Sequence, residues 1–178
     1  APEDFQLIAR TPLDTLDFTG EAMHRGSKMI VDATGHGAPA PGPSPHPGVD
    51  PRRIVPQIVK WRDVGGSLLA VQVSGTGQGR AAVETLVRAL APDRVKIVAA
   101  VSEDVDIEDD VQLIWGIFTR FDPARDVVFT SMDFKGIAPV YRGMMGIDAT
   151  WKPGYPKPLE MDLEVVRKVD HRWAEYWK

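Results

Sequence analysis

Residues 68–101 read LLAVQVSGTGQGRAAVETLVRALAPDRVKIVAAV, and this stretch decides the fold class. The apolar runs LLAVQV and KIVAAV, residues 68–73 and 96–101, have the length and composition of buried strands. Between them, apolar residues recur at the spacing of one helix face, at Val83, Leu86, Val87 and Leu90. A strand, a helix and a second strand in this order predict a parallel pair joined by a right-handed crossover.

The flanking segments extend the same pattern. IVPQIVKW, residues 54–61, predicts a strand that reaches LLAVQV through a hairpin turn at Gly65-Gly66. VVFTS, residues 127–131, predicts a further buried strand. VQLIWGIFTRF, residues 111–121, predicts a second helix, with apolar residues at helical spacing at Val111, Ile114, Trp115 and Phe118. We therefore expect an α/β fold with a mixed or parallel sheet and flanking helices, and a long Gly- and Pro-rich loop over residues 137–158.

Composition divides the chain into three parts. Residues 1–35 hold too few apolar side chains for a core of their own and predict a docking arm. Residues 36–49 alternate proline with small residues and predict an extended connector. Residues 50–178 are the predicted α/β domain, which ends in an amphipathic interaction helix. We expect the apolar stripe of that helix to lie at an interface with another chain or domain, through Val166, Val169, Trp173 and Trp177.

The composition excludes several classes of protein. The 21 basic and 25 acidic residues give a formal net charge of -4 without a dense basic block, so nucleic acid is not an expected partner. Cysteine is absent, which removes disulfides and thiolate sites. No apolar run approaches the roughly 18 residues that cross a bilayer, and the first residues lack a signal-peptide pattern. We expect no membrane association and a cytoplasmic location.

The acidic stretch SEDVDIEDDV, residues 102–111, raises the question of a metal loop. Asp104, Asp106 and Glu108 alternate as calcium ligands do, but the glycine and glutamate that complete an EF-hand loop are missing. These acids are better explained as turn and helix-start residues that satisfy free amides and the helix dipole. Arg120, at the end of the second predicted helix, is expected to cap its carboxyl terminus.

Other candidate sites are weaker. The turn SGTGQGR, residues 74–80, could hold phosphate at a helix start, but an ordinary strand-to-helix turn explains it as well. The four histidines lack the spacing of a metal site. Ser27 and Lys28 are expected in a surface turn, because no base for a nucleophile is evident. We therefore predict no catalytic residue and no metal ligand in this chain.

Several segments together resemble the C-terminal domain of the UbiD family, reversible decarboxylases of aromatic and unsaturated acids that use prenylated FMN. The resemblance rests on SEDVDIEDDVQLIWGIFTRFDPARDVVF (102–129), MGIDATWK (145–152) and PLEMDLEVVRKVDHRWAEYW (158–177), with LLAVQVSGTGQGRAAVETLVRAL upstream. In the arm, PLDTLDFTGEAMHRGSKMIVDATG (12–35) resembles the late part of the same domain, of which residues 145–152 carry a weaker version. The chain therefore carries two candidate copies of one domain ending.

The resemblance implies a division of labour. The catalytic acid-base residues, the divalent metal (manganese) and the prenylated FMN of the family belong to preceding domains, so they are expected in a larger partner subunit. The chain itself is then a separate small subunit of a split UbiD-type (de)carboxylase and is expected to be inactive alone. It supplies oligomerisation and one wall of the substrate pocket. The wall residues that we predict are Met132, Phe134, Ile137, Val71 and Val73. The alternatives are a non-catalytic binding or scaffold protein with the same fold and, on weaker grounds, a small-ligand enzyme that uses the 74–80 turn.

Overall fold

A computed structural model describes residues 5–14, 22, 24–32, 48, 50–91, 95–155 and 161–177. Its strands are β1 (Phe5–Pro12), β2 (Arg25–Val31), β3 (Ile58–Val64), β4 (Leu68–Val73), β5 (Ile97–Val101), β6 (Val127–Lys135) and β7 (Ala138–Ala149). Its α-helices are α1 (Gly79–Ala89), α2 (Asp110–Phe118), α3 (Pro123–Asp126) and α4 (Leu163–Arg172). Short 3-10 turns occupy Pro51–Arg53 and Trp173–Glu175.

Five strands form one mixed sheet in the order β3-β4-β5-β7-β6. The pairs β4–β5 and β5–β7 are parallel, whereas β3–β4 and β6–β7 are antiparallel. The predicted α/β class is confirmed, and so is the hairpin at Gly65-Gly66, where both glycines have positive φ (57° and 70°). Parallel strands need a crossover between them, and α1 supplies it between β4 and β5.

The core lies on both faces of this sheet. On one face α1 packs its predicted stripe, Val83, Leu86, Val87 and Leu90, against strand residues that include Val71 and Val98. On the other face α2 contributes Leu113 and Ile117, which pack against Val101 and Ile147. Because β5 is covered on both sides, all of its residues from Val98 to Val101 are buried, which explains its continuous apolar sequence.

The helix α2 packs through a different face from the one that its apolar spacing suggests. Leu113, Gly116 and Ile117 are buried, whereas the predicted positions Val111, Ile114, Trp115 and Phe118 are 78%, 55%, 52% and 52% exposed. Gly116 allows this orientation, since a Cβ there would lie 2.7 Å from both Cγ atoms of Val105. The helix is apolar nearly all round, so periodicity alone does not select the face that meets the sheet.

The prediction of a loop over residues 137–158 is largely wrong, because β7 runs from Ala138 to Ala149 within this segment. The strand begins after a turn at Gly136, whose φ is 65°, and it pairs with β6 on one side and β5 on the other. Glycines within the segment mark close approaches rather than a loop. A Cβ at Gly146 would collide with Val83 of α1 and Val128 of β6.

The described part of the arm forms its own two-stranded antiparallel sheet, β1–β2, and packs on the domain. The Phe5 ring lies 4.8 Å from that of Phe129 and 4.9 Å from that of Tyr141, both edge-on. Leu13 is buried. The described arm strands thus contact β6, β7 and α3 of the same chain. The predicted connector over residues 36–49 lies outside the described residues except for Gly48.

The hairpins β1–β2 and β6–β7 share one register. In the first, Phe5 pairs with Val31 and Leu7 with Met29. In the second, Val127 pairs with Ile147 and Phe129 with Met145. In both hairpins, an Asp-Ala-Thr sequence follows the paired residue Val31 or Ile147 along the chain. Each hairpin also has a register shift, after Ile8 in the first and after Phe129 in the second. The repeated sequence therefore corresponds to a repeated structural unit.

Candidate functional site

A cluster of charged side chains lies where the parallel strand β7 ends. Asp126, Asp148 and Thr150 are almost completely buried, and Lys152 is 16% exposed at its side chain. We call these four residues the polar cluster. The Asp148 carboxylate accepts hydrogen bonds from the Thr150 amide (3.0 Å) and hydroxyl (2.6 Å). The carboxyl end of a parallel sheet is the edge at which α/β proteins commonly place their sites.

Lys152 holds the polar cluster together. Its Nζ donates to the backbone oxygens of Asp148 (2.8 Å), Thr150 (3.1 Å) and Arg120 (3.1 Å). The same atom lies 3.5 Å from Asp126 Oδ2 and 3.7 Å from Asp148 Oδ1. Burial lowers the pKa of the Lys152 amine, while the Asp148 and Asp126 carboxylates act in the opposite direction. The amine is thus a cross-link between three chain segments with its donors already used.

Arg125 and Tyr155 extend the polar cluster towards the surface. The Arg125 guanidinium donates to the Asp126 carboxylate at 3.0 and 3.2 Å and to the Tyr155 hydroxyl at 2.7 Å. Burial raises the pKa of the Tyr155 hydroxyl well above its usual range, so it stays protonated at neutral pH. The Asp122 amide also donates to Asp126. Every member of this network has a partner, which is typical of a structural polar network.

The acidic turn does not act as a single helix cap. Asp109, rather than the predicted acids, caps α2 by accepting from the Val111 and Gln112 amides at 2.8 and 3.0 Å. Asp106 accepts from the Glu108 amide at 3.0 Å, in agreement with a turn role. Asp104 instead forms a two-bond ion pair with Arg120, at 2.8 and 2.7 Å.

Arg120 is not the helix cap that its position suggests, since it is 4% exposed and bonded to Asp104. Its guanidinium also lies 5.8 Å from the centre of the Trp115 ring. The Arg120 guanidinium holds the pKa of the Asp104 carboxyl below its usual range. The pair joins the turn after β5 to the end of α2, two segments that periodicity analysis treats separately.

The resemblance to the UbiD family implies a divalent metal and prenylated FMN, and the described residues do not fit either group. Among them, no three His, Asp or Glu side chains are placed to hold a metal. The Asp126 and Asp148 carboxylates already face the Lys152 ammonium, which would repel a cation. At the start of α1, the Asp148 carboxylate lies beside Gly79, where it disfavours a second anion such as a phosphate.

The predicted pocket-wall residues fall into two groups. Met132, Phe134 and Ile137 lie near the tip of the β6–β7 hairpin and are 52%, 65% and 98% exposed. Val71 and Val73 are buried, with 0% and 2% exposure, in the core beneath α1. The prediction is therefore corrected for the two valines, because they have no surface with which to contact a ligand.

The predicted interface stripe lies on α4 and the turn after it. Val166, Trp173 and Trp177 are 36%, 55% and 75% exposed, and no residue of α4 is buried. The rings of Trp173 and Trp177 pack edge to face, 5.7 Å apart. Val169 is half-buried. A second exposed apolar surface is the α2 face formed by Val111, Ile114, Trp115 and Phe118. The sequence did not reveal it, because the helical spacing of these residues is also that of a stripe packed on a core.

None of the described helices is long and apolar enough to span a membrane.

Comparisons with curated proteins find relatives of this chain. Two curated relatives are a protein of Archaeoglobus fulgidus, 43% identical over 93 residues, and one of Chlamydia caviae, 28% identical over 185 residues. These matches cover 45% and 98% of this chain but only 19% and 29% of the relatives, so the chain spans less than a third of their length.

Similar solved structures are UbiD-class enzymes. The HmfF enzyme of Pelotomaculum thermopropionicum in complex with FMN is 20% identical, with a TM-score of 0.48 over 71% of this chain and 30% of that one. The vanillic acid decarboxylase of Sedimentibacter hydroxybenzoicus in its closed form is 23% identical, with a TM-score of 0.46 over 72% and 30%.

The model of the 3-octaprenyl-4-hydroxybenzoate carboxy-lyase C-terminal domain matches residues 53–149, from the turn before β3 to the end of β7. The match takes in more than half of the chain and all five strands of the mixed sheet. This chain belongs to the UbiD carboxy-lyase family, as a form of its C-terminal domain.

Proposed function

We propose that this chain is the C-terminal-domain component of a UbiD-type carboxy-lyase that acts on aromatic or unsaturated acids. In this proposal, a larger flavin-binding subunit of the same family carries prenylated FMN, the divalent metal and the acid-base residues. Membership of the family supports the reaction class. The polar cluster supports the division of labour, because its carboxylates and amine are committed to one another and leave no free acid-base pair within it.

The observation that carries the proposal is the amount of apolar surface that the described chain leaves exposed. Large apolar side chains project from α2, from the tip of the β6–β7 hairpin and from the C-terminal stripe. Scattered exposed apolar residues are ordinary, but contiguous apolar surfaces on helices mark contacts with other chains or domains. At about 25 cal/mol per Å² of buried apolar area, covering the rings of Trp173 and Trp177 alone would contribute several kcal/mol before ordering costs.

Each exposed surface has its own role in the proposal. The C-terminal stripe, Val166, Val169, Trp173 and Trp177, forms the contact with another chain. Met132, Phe134 and Ile137, at the hairpin tip, form an apolar wall against the substrate ring. The tip suits this role because it projects beyond the core, whereas its base is anchored by β5 on one side of β7.

Reconstitution tests the proposal. The chain would be mixed with prenylated FMN and manganese, with and without the flavin-binding subunit, and CO2 release would be followed over a panel of aromatic acids. We expect turnover only in the complex. We also expect Phe134→Ser to raise KM in the complex, whereas Val165→Ser, at another exposed apolar site, on α4 away from the hairpin, leaves KM unchanged.

Two results would contradict the proposal. Turnover by the chain alone above the cofactor-only control would place the chemistry in this chain. If the chain binds the flavin-binding subunit but that subunit turns over equally fast without it, the scaffold function is favoured instead.

A further inference from the structure

A cavity of about 840 Å³ lies between the arm hairpin and α3. Its size is within the range of sites for small organic ligands. Both sides of the cavity carry basic residues, whereas the chain as a whole has a net charge of -4. The lining includes Arg10, His24, Arg25, Ser27, Asp122 and Arg125.

Two of the three lining arginines differ from the third in their ion pairs. Arg125 is engaged with Asp126 and Tyr155, as described above. Arg10 and Arg25, in contrast, form no ion pair with any carboxylate of the described residues. The acidic lining residue, Asp122, uses one carboxylate oxygen to accept from the Ala124 amide. Among the described residues, the cavity lining therefore carries more positive than negative charge, and Arg10 and Arg25 are exposed.

The backbone around the cavity is held in an unusual conformation. Arg10 and His24 have φ of 53° and 63°, and they are the non-glycine residues with positive φ in the described part of the chain. Arg10 lies in the irregularity of β1 between Ile8 and Thr11, where the register with β2 shifts. A left-handed conformation is unfavourable for a residue other than glycine, and bulges re-aim side chains beside sites. Both strained residues line the same cavity.

We propose that this cavity binds a small oxyanion, a carboxylate or a phosphate. Guanidinium groups present planar pairs of donors that match the oxygens of both. Ser27, which is 8% exposed in the cavity lining, adds a hydroxyl that can donate to an anion. The site lies on the arm and α3, apart from the hairpin tip and the C-terminal stripe, so it stands or falls independently of the function proposed above.

The test is a titration of the whole chain, at low ionic strength, with benzoate, inorganic phosphate and benzylamine, followed by calorimetry. Benzylamine carries the ring of benzoate with the opposite charge. We expect saturable binding of benzoate, phosphate or both, and none of benzylamine. The preferred anion identifies the chemical class of the ligand. Absence of saturable binding by both anions up to about 10 mM, about tenfold above a 1 mM dissociation constant, would overturn the proposal.

Variants locate the binding in the cavity. Arg10→Gln and Arg25→Gln should each weaken anion binding about tenfold or more, because each removes a charge-assisted hydrogen bond. Arg88→Gln is the matched control, since Arg88 is an exposed arginine on α1 away from the cavity. Thermal unfolding of each variant checks that the fold is retained. Equal affinities in Arg25→Gln, Arg10→Gln and Arg88→Gln would show non-specific ion association and refute the site.

Discussion

The ion pair between Asp104 and Arg120 offers a sharp perturbation of this structure. Asp104→Asn keeps the size and shape of the side chain but removes the charge that faces the Arg120 guanidinium. The Arg120 side chain is 5% exposed, whereas the Asp104 side chain is 53% exposed. The variant therefore leaves a buried cation without its counter-ion, which is the costly direction in which to break a pair.

The expected cost follows from the burial of the two groups. Removing one partner of a fully buried pair costs about 3–5 kcal/mol, and an exposed pair is worth about 0–1 kcal/mol. With one partner buried and the other half in solvent, we expect Asp104→Asn to lower the free energy of unfolding by about 2 kcal/mol. For a chain of this size that corresponds to a fall in Tm of about 4–8 °C.

The same turn supplies a matched control. Asp106→Asn makes an identical chemical change two residues away, but Asp106 accepts one backbone bond and lies 3.9 Å from Lys60 with 53% of its side chain exposed. Asparagine serves such a turn nearly as well, so we expect a loss below about 1 kcal/mol. Urea denaturation followed by circular dichroism would measure both variants. Equal losses of stability in the two variants would refute the role of the Asp104–Arg120 ion pair. A rise in the Tm of the wild type with manganese that disappears in Asp106→Asn would refute the turn role of Asp106 and indicate a metal site.

The dependence on pH gives a second readout of the same pair. Because the folded-state pKa of Asp104 lies below its unfolded value, its contribution is complete above the unfolded pKa and is lost as pH falls through the folded pKa. The difference in stability between wild type and Asp104→Asn should thus be constant from about pH 5 to pH 8 and narrow below about pH 4. A difference that stays constant to about pH 2 would show that charge is not its cause.

Three further changes have clear expected outcomes. Lys152→Met should lower the free energy of unfolding in urea by about 3 kcal/mol, because the buried Asp148 carboxylate loses its cation and Asp126 keeps only that of Arg125; an unchanged midpoint would contradict the role of the polar cluster. Gly79→Ala, which in an open helix would stabilise by about 1 kcal/mol, should instead lower Tm, since its Cβ would overlap Asp148. Ile114→Ser should reduce the mass of any oligomer in light scattering with little change in Tm, whereas Leu113→Ser on the buried face of α2 should unfold the chain; the reverse pattern would show that α2 packs through its other face.

Much of the fold follows from local sequence patterns. The continuous apolar runs of β4 and β5 and the stripe of α1 are predicted correctly, since each of these segments has one arrangement that removes its apolar atoms from water. The paired glycines between β3 and β4 identify the hairpin, because positive φ at two successive residues favours glycine. The repeated Asp-Ala-Thr ending likewise identifies two related segments before any contact is known.

Local patterns were insufficient where two surfaces compete or where partners are distant in sequence. The segment of β7 reads as a loop because its glycines are abundant, but the approach of α1 and β6 requires a residue without a side chain at Gly146. Val71 and Val73 alternate on a strand whose two faces are both covered, so their apolar character alone could not tell core from pocket.

The sequence by itself determined the α/β class, the crossover helix and the β3–β4 hairpin, because these depend on periodicity and on short connections. Tertiary structure alone decided which face of α2 meets the sheet and which charges are paired. Gly116 brings α2 close to Val105, and this approach leaves the Trp115 side of the helix outside. The Arg120 and Lys152 side chains find their carboxylates across segments that are brought together only by the sheet, and ion pairing of this kind leaves no periodic trace in a sequence.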